Sequence, residues 1–349
     1  MGLYERDAAT GLLTFVEVLA GDSLPVSLDE TAAPTLSPGD EHLYVSELST
    51  PNLIVFDRDD VSGALTFASA TPPQSGAVIR AMTFSADGRF LYAGDDLNDA
   101  VQVYGRDLVS GALTFLQTLV DGVDAEGLND PLSLVLSLDG RSLYVCGDDD
   151  NAIARFSRNA ATGLLTFVGQ VVDDTGGVEG LDGVRGLAMS SDGAQLYAVS
   201  DDDDAIAVFS REPFSGALTF EQVLADGVGG VDGLDSVRTV SVTPDGKLVA
   251  VGSGIDPSVD TGDQAIVLFL RDTADGSLRF GKLIDRSFDT SGDRTDLNEV
   301  FDIVVTADGA HLVSAHQNAS ALAVYGLPFL LFADGFESGD TTHWSNIVP

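Results

Sequence analysis

The chain has 349 residues, 44% of them apolar, with 17 Lys+Arg against 55 Asp+Glu and a formal net charge of −38. The apolar content supplies a sizeable core and excludes global disorder. A surface this negative repels phosphate backbones and anionic headgroups, which argues against nucleic acid and peripheral membrane binding and leaves cations or basic partners. Lys247 and Lys282 are the two lysines and aspartate dominates the acids, a bias that suits high salt or an extracellular setting.

Met1-Gly2-Leu3-Tyr4-Glu5-Arg6-Asp7 has neither the basic nor the apolar region of a signal peptide. The chain opens within a repeat, which predicts a trimmed chain or truncated gene product and leaves open whether residues precede Met1. Apolar strand, Arg-Asp or a variant, then a Gly-Ala/Leu-Leu-Thr-Phe strand recurs as Leu3–Phe15, Leu53–Phe67, Val101–Phe115, Ile153–Phe167, Ile206–Phe220 and Ile266–Phe280. Between these runs lies a second phrase, an apolar strand, Ser/Thr-x-Asp-Gly and a strand often reading Leu-Tyr-Val/Ala. Its turns are Asp87-Gly88, Asp139-Gly140, Asp192-Gly193, Asp245-Gly246 and Asp308-Gly309, after an irregular Ser37-Pro38-Gly39-Asp40. Asp-Gly between short β-rich runs is a hairpin signal, because glycine supplies the positive φ of the tight turn.

No segment sustains a 3.6-residue apolar period, and no apolar run nears the ~20 residues that span a bilayer. Each unit of roughly 50 residues therefore reads as four antiparallel strands, A to D, and one such sheet cannot bury both faces alone. The predicted fold is all-β: a β-propeller over residues 1–326, with a tail at 327–349. Six blades are expected (seven in a longer parent), the N- and C-terminal strands sharing the closing blade. Six A–B hairpins and six D strands are counted against seven candidate C strands, since Leu322-Ala323-Val324-Tyr325 repeats the role of Leu3-Tyr4. Cys146, the one cysteine, excludes an internal disulfide and reads as a buried, inert thiol.

Ser190–Ser200, Ala205–Arg211 and Ser215–Phe220 resemble the bacterial lactonase-type β-propellers, a group similar to propeller 6-phosphogluconolactonases and surface-layer YVTN-repeat proteins. The resemblance covers residues 1 to about 326 and implies the fold. A lactonase activity is implied only by analogy, since the matched residues form turns and strands. The tail, Asp334-Gly335-Phe336-Glu337-Ser338-Gly339-Asp340-Thr341, resembles C-terminal segments of secreted Gram-negative proteins and implies an exported, surface or periplasmic protein. It reads equally as an apolar strap on the propeller's side.

The A–B and C–D turns share one face and repeat; the B–C and D–A loops share the other, vary, and collect acids. Repeat alignment puts Asp96, Asp148 and Asp201 at equivalent positions, hard oxygen ligands suited to Ca²⁺, although no loop has EF-hand spacing. Arg80, Arg185 and Arg238 align at the start of strand A. They would either clamp an anion at the channel mouth or pair with the surrounding aspartates. Glu299 and His316 form the best acid–base pair on offer. Three readings follow: a monomeric extracellular binding or scaffold module acting through the acidic face, with Ca²⁺; a hydrolase of a sugar lactone or related anionic substrate at the channel; and a bulk surface-layer module.

Overall fold

The computed structural model describes residues 2–19, 24–28, 30–49, 51–254, 262–284, 300–316 and 321–327. Twenty-five strands are present among them, and helix is confined to single turns such as Gln74–Gly76. The chain begins with a hairpin of β1 (Gly2–Arg6) and β2 (Leu13–Val18). The first full blade is β3 (Thr31–Leu36), β4 (His42–Glu47), β5 (Asn52–Arg58) and β6 (Leu65–Thr71). The second is β7 (Ile79–Phe84), β8 (Phe90–Asp95), β9 (Ala100–Arg106) and β10 (Leu113–Val120). The third is β11 (Ser133–Leu136), β12 (Ser142–Gly147), β13 (Ala152–Arg158) and β14 (Leu165–Val172). The fourth is β15 (Val184–Met189), β16 (Gln195–Ser200), β17 (Ala205–Arg211) and β18 (Leu218–Ala225). The fifth is β19 (Val237–Val242), β20 (Leu248–Ser253), β21 (Ile266–Arg271) and β22 (Leu278–Ile284). The sixth has three strands, β23 (Val300–Val305), β24 (His311–His316) and β25 (Ala321–Gly326).

Every sheet is an antiparallel meander in the order expected from the sequence, and the expected six A–B hairpins, six D strands and seven C strands are all found. Inner strands contact inner strands around the ring: β3 meets β7, β7 meets β11, β11 meets β15, β15 meets β19 and β19 meets β23. This six-bladed radial stacking buries both faces of the sheets between the first and the last, while Val304 and Leu322 of the last stay about half exposed. Leu53, Val101, Ile153, Ile206 and Ile266, one per third strand, are all 0% exposed.

The turns carry out the chemistry their residues imply. In the A–B turn, Ser85 Oγ donates to Asp87 Oδ1 at 2.6 Å, Asp87 accepts the Arg89 N–H, and Gly88 takes φ 67°. In the C–D turn, Asp107 Oδ1 accepts the N–H groups of Val109 and Ser110, and Gly111 closes the turn at φ 68°.

A clasp joins successive blades. The arginine ending a third strand reaches into the preceding blade and donates from Nε to a tyrosine hydroxyl: Arg106 to Tyr44 (2.7 Å), Arg158 to Tyr92, Arg211 to Tyr144 (3.0 Å) and Arg271 to Tyr197 (2.7 Å). Each tyrosine in turn donates to a glycine carbonyl of the arginine's blade: Gly111, Gly163, Gly216 and Gly276.

The chain ends meet at the closure. Arg6 Nη2 lies 2.8 Å from Asp308 Oδ2, and Arg6 Nη1 2.9 Å from His311 Nδ1. The N- and C-terminal strands do not share one closing blade as expected: β25 completes the last sheet beside β24, while β1 and β2 form a sheet of their own, joined to it through Arg6. Arg6 thus reaches into the β23–β25 blade as Arg106 reaches into its predecessor, which sets the hairpin one step further round the ring. The expected tail beyond Leu327 lies outside the described residues.

The clasp is a buried charge whose hydrogen bonds have no substitute once a partner is removed. Arg211→Ala should cost about 2–4 kcal/mol of stability, and Tyr144→Phe about 1–2 kcal/mol, read as urea unfolding midpoints. An Arg211→Ala protein as stable as the parent would refute this role.

Candidate functional site

The acid-rich face is built from the B–C and D–A loops, and its aspartates are engaged by the backbone. Asp121, Asp173 and Asp226 each accept, through Oδ1 at 3.0 Å, the N–H of Leu128, Leu181 and Leu234. Asp150, Asp203 and Asp263 accept the N–H of Asn129, Asp182 and Asp235. Asp99, Asn151 and Asp204 accept the next N–H along, from Asp130, Gly183 and Ser236. Loops without strand partners must satisfy their donors somewhere, and here side-chain oxygens do it.

The aligned arginines stand second in β7, β15 and β19, and two of them meet the aligned aspartates. Arg80 Nε is 2.8 Å from Asp96 Oδ2. Arg185 Nε is 2.5 Å from Asp201 Oδ2, and its Nη2 is 3.6 Å from Asp148 Oδ2. Arg238 sits near enough to Asp201 to favour its ionised form. The residues proposed for an anion and those proposed for Ca²⁺ thus form one mixed cluster. A guanidinium already stands beside each of these three carboxylates.

Asp130 was not singled out by sequence. Its carbonyl accepts the Asp148 N–H, as Gly183 accepts from Asp201 and Ser236 from Gly254, so the three are equivalent. All three take positive φ (55°, 67° and 59°), where a non-glycine residue carries strain. At Gly183 a Cβ would come within 2.5 Å of Asp201 Oδ1. Asp130 places a carboxyl at that crowded position, and burial, then a hydrogen bond shared with Asp96, raises its pKa to about 7. Asp148 is 9% exposed and raised to about 6, chiefly by burial, against the pull of Arg185. Asp130 Oδ1 and Asp148 Oδ1 are both buried without a hydrogen-bond partner. The signal available in sequence was a lone aspartate where the repeat places Gly183 and Ser236.

His316 ends β24, is 3% exposed, and has Nε2 2.7 Å from Ser314 Oγ, so its ring lies within the blade. Glu299 lies outside the described residues. Among the described residues, Asp226, Asp232 and Asp263 bring three carboxylate oxygens within 4.8 Å of one another, a different trio from the aligned set. The buried Cys146 thiol is pushed up to about 12 by desolvation, as its inert reading implied. No helix among the described residues is long and apolar enough to cross a membrane.

Residues 2–125 and 120–232 match the family described as lactonase, 7-bladed β-propeller. The chain belongs to that family. No curated protein matches this lactonase-family chain significantly. Among solved structures it is similar to a provisionally assigned 6-phosphogluconolactonase from Bacteroides uniformis, with 19% identity, 93% of this chain and 87% of that one covered, and a TM-score of 0.71. It is also similar to a protein from Lactobacillus plantarum (16% identity, 97% and 88% covered, TM-score 0.70). A third is the periplasmic gluconolactonase of Pseudomonas aeruginosa (22% identity, 81% and 76% covered, TM-score 0.61). At these identities the likeness establishes the fold. The family description counts seven blades, and the β1–β2 hairpin stands where the outer half of a further blade belongs.

The carboxyl cluster makes stability depend on pH with a definite sign. Asp130 (about 7), Asp148 and Asp204 (about 6) hold protons in the fold that the unfolded chain, at 3.8, has released. Their contribution is fully present below about pH 4 and is lost as pH rises through about 6 to 7. His42 opposes them. Burial, then Arg106, lowers its pKa below 6.5, so its contribution is lost as pH falls below that value. Asp192 is held at about 2 by Ser190 and Arg271 despite its burial, and its contribution disappears only in stronger acid. The unfolding midpoint in urea should therefore be higher near about pH 5 than near about pH 8, and Asp130→Asn should narrow that gap. A midpoint that rises steadily to pH 8 would contradict the assignment.

Proposed function

We propose that this propeller hydrolyses a cyclic ester at the mouth of its central channel, with an uncharged sugar lactone as the substrate class. The observation that carries the reading is the cluster of Arg80, Asp96, Asp130, Asp148 and Arg185, on a fold whose family is described as lactonase. Ester hydrolysis needs a base for water, a positive group for the developing oxyanion, and an acid for the leaving ring oxygen. The Asp96 carboxylate would take the proton from water as its oxygen attacks the carbonyl carbon. The Arg185 guanidinium, one-third exposed, would face the oxyanion. Asp130, protonated up to about pH 7, would give its proton to the ring oxygen as the carbon–oxygen bond breaks. The hydrogen bond between the two carboxyls returns the proton for the next turnover.

The preference for an uncharged substrate follows from local charge. Arg80 and Arg185 are already balanced by Asp96, Asp148 and Asp201, and Asp149 and Asp202 add further negative charge, so among the described residues neither guanidinium is free to meet a phosphate. A calcium-dependent binding module gains less support, because the loop carboxylates are engaged by backbone N–H groups and guanidiniums. Work outside the cytoplasm fits the likeness to a periplasmic gluconolactonase.

Hydrolysis of D-glucono-δ-lactone, followed by pH-stat, should exceed the buffer rate and fall as pH rises through about 7, with the 6-phosphorylated lactone turned over more slowly. Asp130→Asn and Arg185→Ala should each lower the rate by roughly 100-fold or more. Turnover no faster than buffer on either lactone, or variants as active as the parent, would rule the proposal out.

A further inference from the structure

The third blade breaks the repeat at three successive residues of the mouth. Asp130-Pro131-Leu132 stands where the fourth blade has Gly183-Val184-Arg185 and the fifth has Ser236-Val237-Arg238. The strand register fixes this correspondence, since Ser133 lies opposite Cys146 as Gly186 lies opposite Val199 and Ala81 opposite Gly94. In β7, β15 and β19 the residue skipped by a bulge is Arg80, Arg185 or Arg238, and a bulge re-aims the side chain it carries. Leu132 holds that place in the third blade, and it packs against the buried cluster of Tyr144, Cys146 and Leu187. The third blade therefore brings no guanidinium to the mouth.

The neighbouring arginine shows what such a group does. Arg185 bridges two blades, with Nε 2.5 Å from Asp201 of its own hairpin and Nη2 3.6 Å from Asp148 of the preceding blade. By the same geometry an arginine in place of Leu132 would join Asp148 to Asp96. Without it, Asp148 is 9% exposed and its carboxylate accepts no hydrogen bond among the described residues: Oδ1 is buried without a partner, and Oδ2 has the long Arg185 contact. Asp130 Oδ1 is likewise buried without a partner, while the Asp130 carboxyl shares a hydrogen bond with Asp96. Buried carboxylate oxygens without donors are costly, so the group of three calls for a positive charge or a proton. The proton serves here: burial, then Asp96, Asp148 and Asp149, raise Asp130 to about 7.

We infer that Asp96, Asp130 and Asp148 form a binding site for an alkyl guanidinium, which takes the place that the repeat elsewhere gives to an arginine side chain. The planar fork of a guanidinium presents N–H groups to two carboxylates at once, as Arg185 does with Asp201 and Asp148. An ammonium, a compact and strongly hydrated point charge, matches that bridge less well. The acidic loops around the mouth, on a chain of net charge −38, draw cations toward it. A guanidinium and the Asp130 proton compensate the same carboxylates, so the guest enters as the proton leaves to solvent. Binding needs only the three carboxylates and the absent arginine, and is independent of any turnover at the same mouth.

The test titrates the full chain with N-acetyl-arginine amide by isothermal titration calorimetry at constant ionic strength. One molecule per chain should bind with a Kd of about 1 mM, while N-acetyl-citrulline amide, its uncharged isostere, should not bind. In two buffers of different ionisation heat, binding should release about one proton near about pH 6 and almost none near about pH 8.5. Leu132→Arg supplies the repeat's own guanidinium and should abolish binding. Asp148→Asn removes an unpaired buried charge, so it should keep the fold, read as a circular-dichroism melt, and weaken binding about tenfold. A blocked Ala-Ala-Arg-Ala-Ala peptide separates two sources of the group: affinity equal to that of the single residue assigns the site to a small guanidinium, and affinity about tenfold higher assigns it to an arginine borne by a partner chain. Three outcomes would overturn the inference: no saturation up to about 20 mM, equal binding of the citrulline compound, or parental affinity in both Leu132→Arg and Asp148→Asn.

Discussion

A twisted four-stranded sheet with apolar side chains on both faces has no stable existence alone, and this chain is arranged around that constraint. Each sheet between the first and the last is covered on one face by its predecessor and on the other by its successor, so the core runs from blade to blade as linked clusters. The arginine–tyrosine–glycine clasp fixes how far one blade is rotated against the next. It ties the end of a third strand to the second strand of the preceding blade, and it works because both partners are buried and leave few donors unpaired. His42 shows how closely the clasp is fitted. Arg106 can only donate to its Nδ1, which places the imidazole proton on Nε2, 3.3 Å from Asp57.

The acidity has two physical origins that composition does not separate. One set of aspartates closes the turns on the regular face by accepting backbone N–H groups, and the same residues receive the clasp arginines, as Asp139 receives Arg211 and Asp192 receives Arg271. The second set does the same work for the long loops on the opposite face, three acceptors to each connection. A net charge of −38 is in large part the sum of these local tasks repeated around a ring.

The mouth departs from this regularity at one position. Asp130 replaces Gly183 and Ser236 in a left-handed turn, and its half-buried carboxyl meets Asp96, which with burial raises its pKa to about 7. On the function proposed above, the cluster would act on a lactone, and the balance of charge at the mouth would favour an uncharged one.

By itself the sequence determined the strands, their order, the A–B and C–D turns and the sheet period, because these rest on local chemistry: alternation of β-formers, Asp-Gly hairpins, and Asp-x-x-Ser/Thr-Gly turns. It also determined that Arg80, Arg185 and Arg238 share one register, and Asp96, Asp148 and Asp201 another. Only the tertiary structure decided that the two sets meet: Arg80 faces Asp96 and Arg185 faces Asp201 across one β-hairpin, and a second Arg185 contact, with Asp148, crosses to the preceding blade. It alone withdrew His316 into a blade, brought out Asp130, and gave β25 and β1 separate sheets. Those outcomes turn on burial and on which elements pack together, as Arg6 does with Asp308 and His311, and no local pattern encodes them.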